Sequence, residues 1–258
     1  MSQHQVYWVA FQTILFKEVR RFLRIWMQTL LPSVITTSLY FVVFGTLIGS
    51  QIGDIQGFRY MEYIVPGLVL MAVISNAYAN VVSSFYGTKF QRHIEEMLVA
   101  PIPNWVILAG YICGGVARGV LVGVLVLGVA ALFTDLHIEH PLLMALVYLL
   151  TAILFATAGF INAVYANSFD DISIIPTFVL TPLIYLGGVF YSISMLPPFW
   201  QKVSLFNPVL YMINVFRFGI LGVSDIPVVA GLLVIVGFIA GLIGFSLLLL
   251  ARGVGIKQ

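Results

Sequence analysis

The sequence predicts an all-α membrane protein: six transmembrane helices, an N-terminal amphipathic interfacial helix, and a re-entrant segment before the last span. Three observations carry this. Of 258 residues, 61% are hydrophobic and only 9% charged, where soluble domains run at about 25% charged. A soluble fold of this length cannot hide so much apolar surface, whereas a bilayer serves as its solvent. Second, the scarce charges leave long gaps. Third, those gaps are continuously apolar rather than alternating, which argues against a membrane β-barrel. Helices remain, because backbone groups in lipid must pair within their own segment.

Charge-free runs cover residues 25–53, 63–88, 119–134, 141–169, 172–201 and 226–251. About 20 apolar residues cross a hydrocarbon core of roughly 30 Å. The predicted spans are 27–49, 63–86, 105–133, 142–167, 173–192 and 226–250, the third tolerating Arg118 inside it. One membrane domain, 1–258, is the simplest partition. With both termini cytoplasmic, the inner segments hold Lys17, Arg20, Arg21, Arg24, Lys89, Arg92, Arg252 and Lys257. The outer ones hold Arg59, Lys202 and Arg217. The opposite orientation inverts this bias and is rejected.

Residues 6–25 differ in kind. Polar Thr13, Lys17, Arg20, Arg21 and Arg24 and apolar Trp8, Phe11, Leu15, Phe22 and Trp26 put two faces on one helix. A basic amphipathic helix with aromatic residues reads as lying in the membrane interface; a plain juxtamembrane anchor is the alternative. The apolar run after these charges is too long for the hydrophobic region of a cleaved signal peptide. A net charge of +2 is too small to suggest nucleic acid, and the lone Cys113 permits no intrachain disulfide. Residues 196–222, broken by Pro197, Pro198 and Pro208, hold an uncharged stretch too short to span, which fits a re-entrant segment on the outer side.

The cytoplasmic segment 88–101 carries Lys89, Arg92, His93, Glu95 and Glu96, with Phe90, Ile94, Met97 and Leu98 at helical spacing along one side and Pro101 closing it. Such a helix suits docking into a partner's groove; a solvated loop helix without a partner is the bland reading. Here the residues resemble a known family. Glu95-Glu96-Met97-Leu98-Val99-Ala100-Pro101 looks like the coupling segment of ABC-2-type transporter permeases, with Arg92-His93 in place of the usual Gly-Thr. Leu180, Leu183, Leu186, Gly187 and Val189, then Leu196-Pro197, then Pro208, Tyr211 and Arg217 resemble its C-terminal pattern, with Val209 a departure.

The resemblance implies a bacterial inner-membrane permease subunit, working as a homodimer with two copies of a P-loop ATPase chain that carries the ATP and Mg. It implies that Arg92, Glu95, Glu96, Met97 and Leu98 contact that ATPase. Export of an amphiphilic or lipidic substrate is the expected function. Independently, a P-loop needs lysine after glycine, and none of Lys17, Lys89, Lys202 and Lys257 has one before it. This chain therefore binds no ATP in that way, and no cofactor of its own is expected.

Candidate pathway or gate residues are Arg118, Glu62, Arg217 and Tyr191. An ionisable residue inside a span normally faces protein or water. Arg118 is read either as a pathway or gating residue paired with a carboxylate, or as snorkelling to an interface or forming a structural pair. Arg59, Glu62 and Arg217 are read as a salt bridge or gate, or as a solvated rim. Tyr185, Phe190 and Tyr191 line an exit path or form the aromatic belt. Gly115, Gly119 and Gly123, like Gly237 and Gly241, form small-residue rows for close helix packing. Asp170 and Asp171 touch the ATPase or are simply solvated. Asp135, His137, Glu139 and His140 are the residue types that bind zinc, but no metal site is expected. An intramembrane enzyme is the rival class, yet no span carries Asp, Glu or His in its core. A non-transporting scaffold is the other.

Overall fold

The computed structural model describes residues 2–255, apart from the side chains of Thr46, Ser50 and Leu98. Lys257, counted above with the inner charges, lies outside the described residues. The first helix, α1, is Gln3–Arg24. It starts earlier than residue 6 because Ser2 and Gln5 cap it reciprocally: the Gln5 side chain accepts from the Ser2 amide at 2.9 Å, and Ser2 Oγ accepts from the Gln5 amide. Ile25, at φ −114° and ψ 38°, breaks the helix. Then come α2 (Trp26–Gly45), which runs on through a π-helical stretch Phe41–Ile48, α3 (Tyr60–Phe90), α4 (His93–Val99) and α5 (Asn104–Phe133). They are followed by α6 (Pro141–Tyr165), α7 (Asp171–Tyr185), α8 (Pro198–Ser204), α9 (Pro208–Leu221) and α10 (Val228–Arg252).

The centre of the bundle is α3, which packs chiefly between α5 and α6, with α9 against both α3 and α6. Over its most apolar stretch 83% of residues are buried, against 22% for α2 and 17% for α10. Those outer helices therefore turn apolar side chains outward, as helices do whose solvent is lipid. Small residues set how closely the inner helices approach. A Cβ on Gly115 would sit 2.5 Å from Val81, one on Gly123 2.1 Å from the Tyr148 hydroxyl, and one on Gly159 2.6 Å from the Tyr78 carbonyl oxygen. Gly237 and Gly241 differ: a Cβ at either would meet nothing within 4 Å beyond its own stretch of helix, among the described residues.

Among the described residues, five helices are long and apolar enough to cross a membrane: α2, α3, α5, α6 and α10. The helix expected over 173–192 is shorter, ending at Tyr185 after a π-helical stretch Pro176–Leu180. Pro176 and Pro182 each lack an amide for the helical ladder, and Gly188 turns the chain away at φ 78°. At about 22 Å long, α7 alone falls short of a roughly 30 Å core. In the segment 196–222, α8 and α9 meet at 89°. Asn207 makes the corner: its side chain accepts from the Val209 amide at 3.0 Å and donates to the Leu183 carbonyl at 2.6 Å.

Packing at the glycines yields a paired prediction. Gly159→Ala drives a methyl into the α3 backbone and is expected to cost about 1–3 kcal/mol of stability, as overpacking does. Gly237→Ala is expected to be neutral. Thermal unfolding of the two purified variants in detergent makes the comparison.

Candidate functional site

The segment expected to couple to an ATPase continues from the end of the central helix. Its origin is a single backbone event: Arg92 adopts the left-handed conformation, φ 62°, between α3 and α4. This resets the helical phase, so Phe90 does not continue the ridge expected with Ile94 and Met97. Ile94 is buried and Met97 half-buried, while Phe90 is 63% exposed at the end of α3. The side chain of Leu98 lies outside the described residues. Arg92, Glu95 and Glu96 are all exposed. With Ile94 holding α4 from beneath, the two carboxylates face outward.

A second loop joins this platform. Phe169 packs edge-on against both Phe90 and Tyr86, with ring centroids 5.1 and 5.0 Å apart. Lys89 Nζ donates to the carbonyls of Val164 and Ala166 at 2.8 and 2.7 Å, tying the end of α3 to the C-terminus of α6. Asp171 is occupied at home: its carboxylate accepts from the amides of Asn167 and Ser168 at 2.8 and 3.1 Å. The Asn167 amide, and then the Ser168 side chain, hold that carboxyl below the usual carboxylate range. Asp170 stays exposed. Lys89, Phe90, Arg92, Glu95 and Asn167 line a surface cavity of about 330 Å³ beside α4.

Above this platform α3 carries a polar stripe that sequence reasoning missed. Asn76, Asn80, Ser84 and Thr88 recur every four residues and are all buried, so they face one way along the helix. Each has a partner. Arg118 Nη2 donates to Asn76 Oδ1 at 3.0 Å and to the Thr29 carbonyl at 3.2 Å. Arg21 Nη2 donates to Asn80 Oδ1 and to the Asn80 carbonyl, both at 2.9 Å, and to Glu18 at 3.2 Å. Ser84 Oγ donates to Glu18 Oε1. The Tyr111 hydroxyl donates to Thr88 Oγ1 at 3.0 Å.

Two expectations change here. Arg118 has an amide and a backbone carbonyl as partners rather than a carboxylate, and its contacts join α5 to α3 and to the start of α2. And α1 has three faces rather than two. Ile14, Glu18 and Phe22 are buried, with Glu18 against the site of Gly114, where a Cβ would lie 2.5 Å from the Glu18 Cβ. The four-residue recurrence of small polar side chains inside an apolar run was the available signal.

At the end of the bundle away from α4, Arg217 is not a solvated rim residue: it is 1% exposed. Its guanidinium lies 4.0 Å from the Tyr63 ring centroid, and Nη2 donates to the Gly188 carbonyl at 2.6 Å. Nearby, Asp225 accepts from Gln56 at 2.6 Å, from Ser192 Oγ at 2.7 Å and from the Ile193 amide at 3.1 Å. Arg59 is exposed, Glu62 half-buried, and no ion pair joins them among the described residues. Tyr191 donates to the Tyr185 carbonyl at 3.0 Å, while Tyr40, Phe44, Tyr185 and Phe190 form a continuous aromatic cluster. Asp135, His137, Glu139 and His140 are not brought together: His140 stacks on Phe218, and no group of three metal-type ligands occurs among the described residues.

Residues 9–221 match the family model described as ABC-2 type transporter. The chain belongs to the ABC-2 type transporter family. It is also similar to the inner membrane transport permease YadH of Escherichia coli K12, 56% identical over 253 residues that cover 98% of this chain and 99% of that protein. Nodulation protein J of Rhizobium leguminosarum bv. viciae is 24% identical over 197 residues, 76% of each chain. Nodulation protein J of Sinorhizobium fredii NGR234 is 26% identical over 205 residues, 77% of this chain and 78% of that one. This ABC-2 permease is thus a multi-pass inner membrane protein and the membrane subunit of an ABC transporter, with ATP hydrolysis in a separate chain.

The site itself yields a prediction. Glu18→Ala leaves the half-buried Arg21 guanidinium without its carboxylate and Ser84 without its acceptor, which costs about 1–3 kcal/mol. A lowered unfolding temperature in detergent, together with faster amide exchange along α1, is the expected outcome.

Proposed function

We propose that the chain is the membrane half of an exporter, a homodimer served by two copies of a P-loop ATPase that carries the ATP and Mg. In this reading both termini are cytoplasmic. Arg92, Glu95, Glu96, Met97 and Leu98 grip the ATPase, and no chemistry occurs on this chain. The observation that carries the reading is the pose of α4. Its carboxylates are solvent-facing, Ile94 anchors it, and Phe90, Phe169 and Lys89 lock its base to the end of the most buried helix. A helix so placed converts a push from outside into movement of α3.

The cargo we propose is amphiphilic or lipidic. Between α2 and α3 lies a cavity of about 210 Å³ lined by Ser33, Thr36, Thr37, Met71 and Ser75, with Asn76 below and Tyr40 above. Hydroxyls and apolar groups alternate along this wall, which runs from the Arg118–Asn76 tie toward the aromatic cluster of Tyr40, Phe44, Tyr185 and Phe190. Such a wall offers hydrogen bonds to a polar head while keeping apolar contact with a chain. Tyr191, Glu62 and the Arg217–Tyr63 pair stand at its outer end as the candidate gate.

The test reverses the charge on α4. Glu95→Lys with Glu96→Lys is expected to abolish co-purification of the ATPase while leaving the fold intact, since both side chains are exposed. A double variant that keeps the full complex and full transport sinks the coupling assignment.

A further inference from the structure

Lys17, Arg20, Arg21 and Arg24 stand at i, i+3, i+4 and i+7 on α1, a spacing that aligns them on one side of the helix. Together with Ile25 they line an open cavity of about 640 Å³ inside the bend where α1 meets α2. Glu18 is the only carboxylate on α1, and it faces inward to Arg21 and Ser84. Arg20 and Arg24 are exposed, with no ion pair or hydrogen bond among the described residues, and Lys17 reaches the Thr88 hydroxyl at 3.5 Å and the face of the Tyr111 ring at 6.0 Å. Four cations against one neutralised acid leave a concentrated positive field.

The chemistry of the neighbouring face decides what fills it. Phe16 is 70% exposed and Leu23 44%, on the side of α1 away from Ile14, Glu18 and Phe22. Trp26, 48% exposed, begins the first span immediately after the cavity. Covalent continuity therefore places Arg24 and Ile25 at the edge of the bilayer. The cation row lies between a face docked on the bundle and an apolar face open to lipid. An acidic protein surface would satisfy the charges but leave Phe16, Leu23 and Trp26 in water. A phosphate head with acyl chains satisfies both.

We propose that this bend is a binding site for one anionic glycerophospholipid of the surrounding leaflet, its phosphate on Lys17, Arg20, Arg21 and Arg24 and its chains along Phe16, Leu23 and Trp26. The site is separate from the wall between α2 and α3 and does not depend on how the ATPase is gripped. A resident lipid there fixes α1 against the membrane on one side while Glu18 fixes it to the bundle on the other.

The experiment is native mass spectrometry of the full chain in detergent, titrated with phosphatidylglycerol or phosphatidylcholine. The expected result is selective retention of one phosphatidylglycerol, weakened about tenfold or more by Arg20→Gln with Arg24→Gln. Those side chains have no partner in the fold, so the double variant is expected to melt as the parent does. Three results overturn the proposal: equal retention of phosphatidylcholine, undiminished phosphatidylglycerol binding by a folded double variant, or full displacement by inorganic phosphate at matched concentration, which identifies an ionic site without a lipid component. Should the double variant fail to fold, Phe16→Ser with Leu23→Ser carries the test: weakened phosphatidylglycerol binding supports the site and unchanged binding overturns it.

Discussion

A carboxylate sealed from solvent demands compensation, and Glu18 obtains it from Arg21, Ser84 and Asn80 at once. Removing an ion from water is expensive unless its partners are well placed, so this cluster dictates where α1 can sit. It must lie against α5, close enough that Gly114 tolerates no side chain, and it must present one edge to α3. The same helix then exposes Lys17, Arg20 and Arg24 on one flank and Phe16 and Leu23 on another. A single buried acid thus sets the orientation of the whole N-terminal segment.

Two partners of that acid, Asn80 and Ser84, belong to α3, and α4 follows directly from the end of α3. Asn76, Asn80, Ser84 and Thr88 tie it to α2, α1 and α5 along its length, and Lys89 and Phe90 tie its end to the α6–α7 loop. Interiors packed at this density do not deform continuously. A displacement at α4 therefore moves α3 together with whatever its stripe holds, up to Tyr63 beneath the Arg217 guanidinium. Under the proposed function, that is the physical route by which an ATPase gripping α4 would reach the candidate gate.

Much of this was legible in the sequence, and the losses have physical causes. Long uncharged runs located α2, α3, α5, α6 and α10 because lipid tolerates little else. The proline cluster and uncharged stretch located the bent pair α8 and α9. Helix ends were misjudged where side chains decide them: Ser2 and Gln5 start α1 early, and Pro176, Pro182 and Gly188 stop α7 short. The exposed carboxylates of α4 stood out by charge, but the Arg92 break was invisible, since Arg rarely takes a positive φ. Arg118 and Arg217 were flagged by type but their partners were not found, because neither Asn76 nor a tyrosine ring advertises itself in a one-dimensional pattern. Glu18 was hidden among basic neighbours that suggested an exposed face.

The measurement that bears most directly on the sealed acid is a double-mutant cycle: Glu18→Ala, Asn80→Ala and the two combined, each full chain unfolded by heat in the same detergent. The account predicts a coupling energy of about 1–3 kcal/mol between the two positions, because both act through Arg21. Losses that simply add, to within about 0.5 kcal/mol, contradict it and leave α1 merely resting on the bundle.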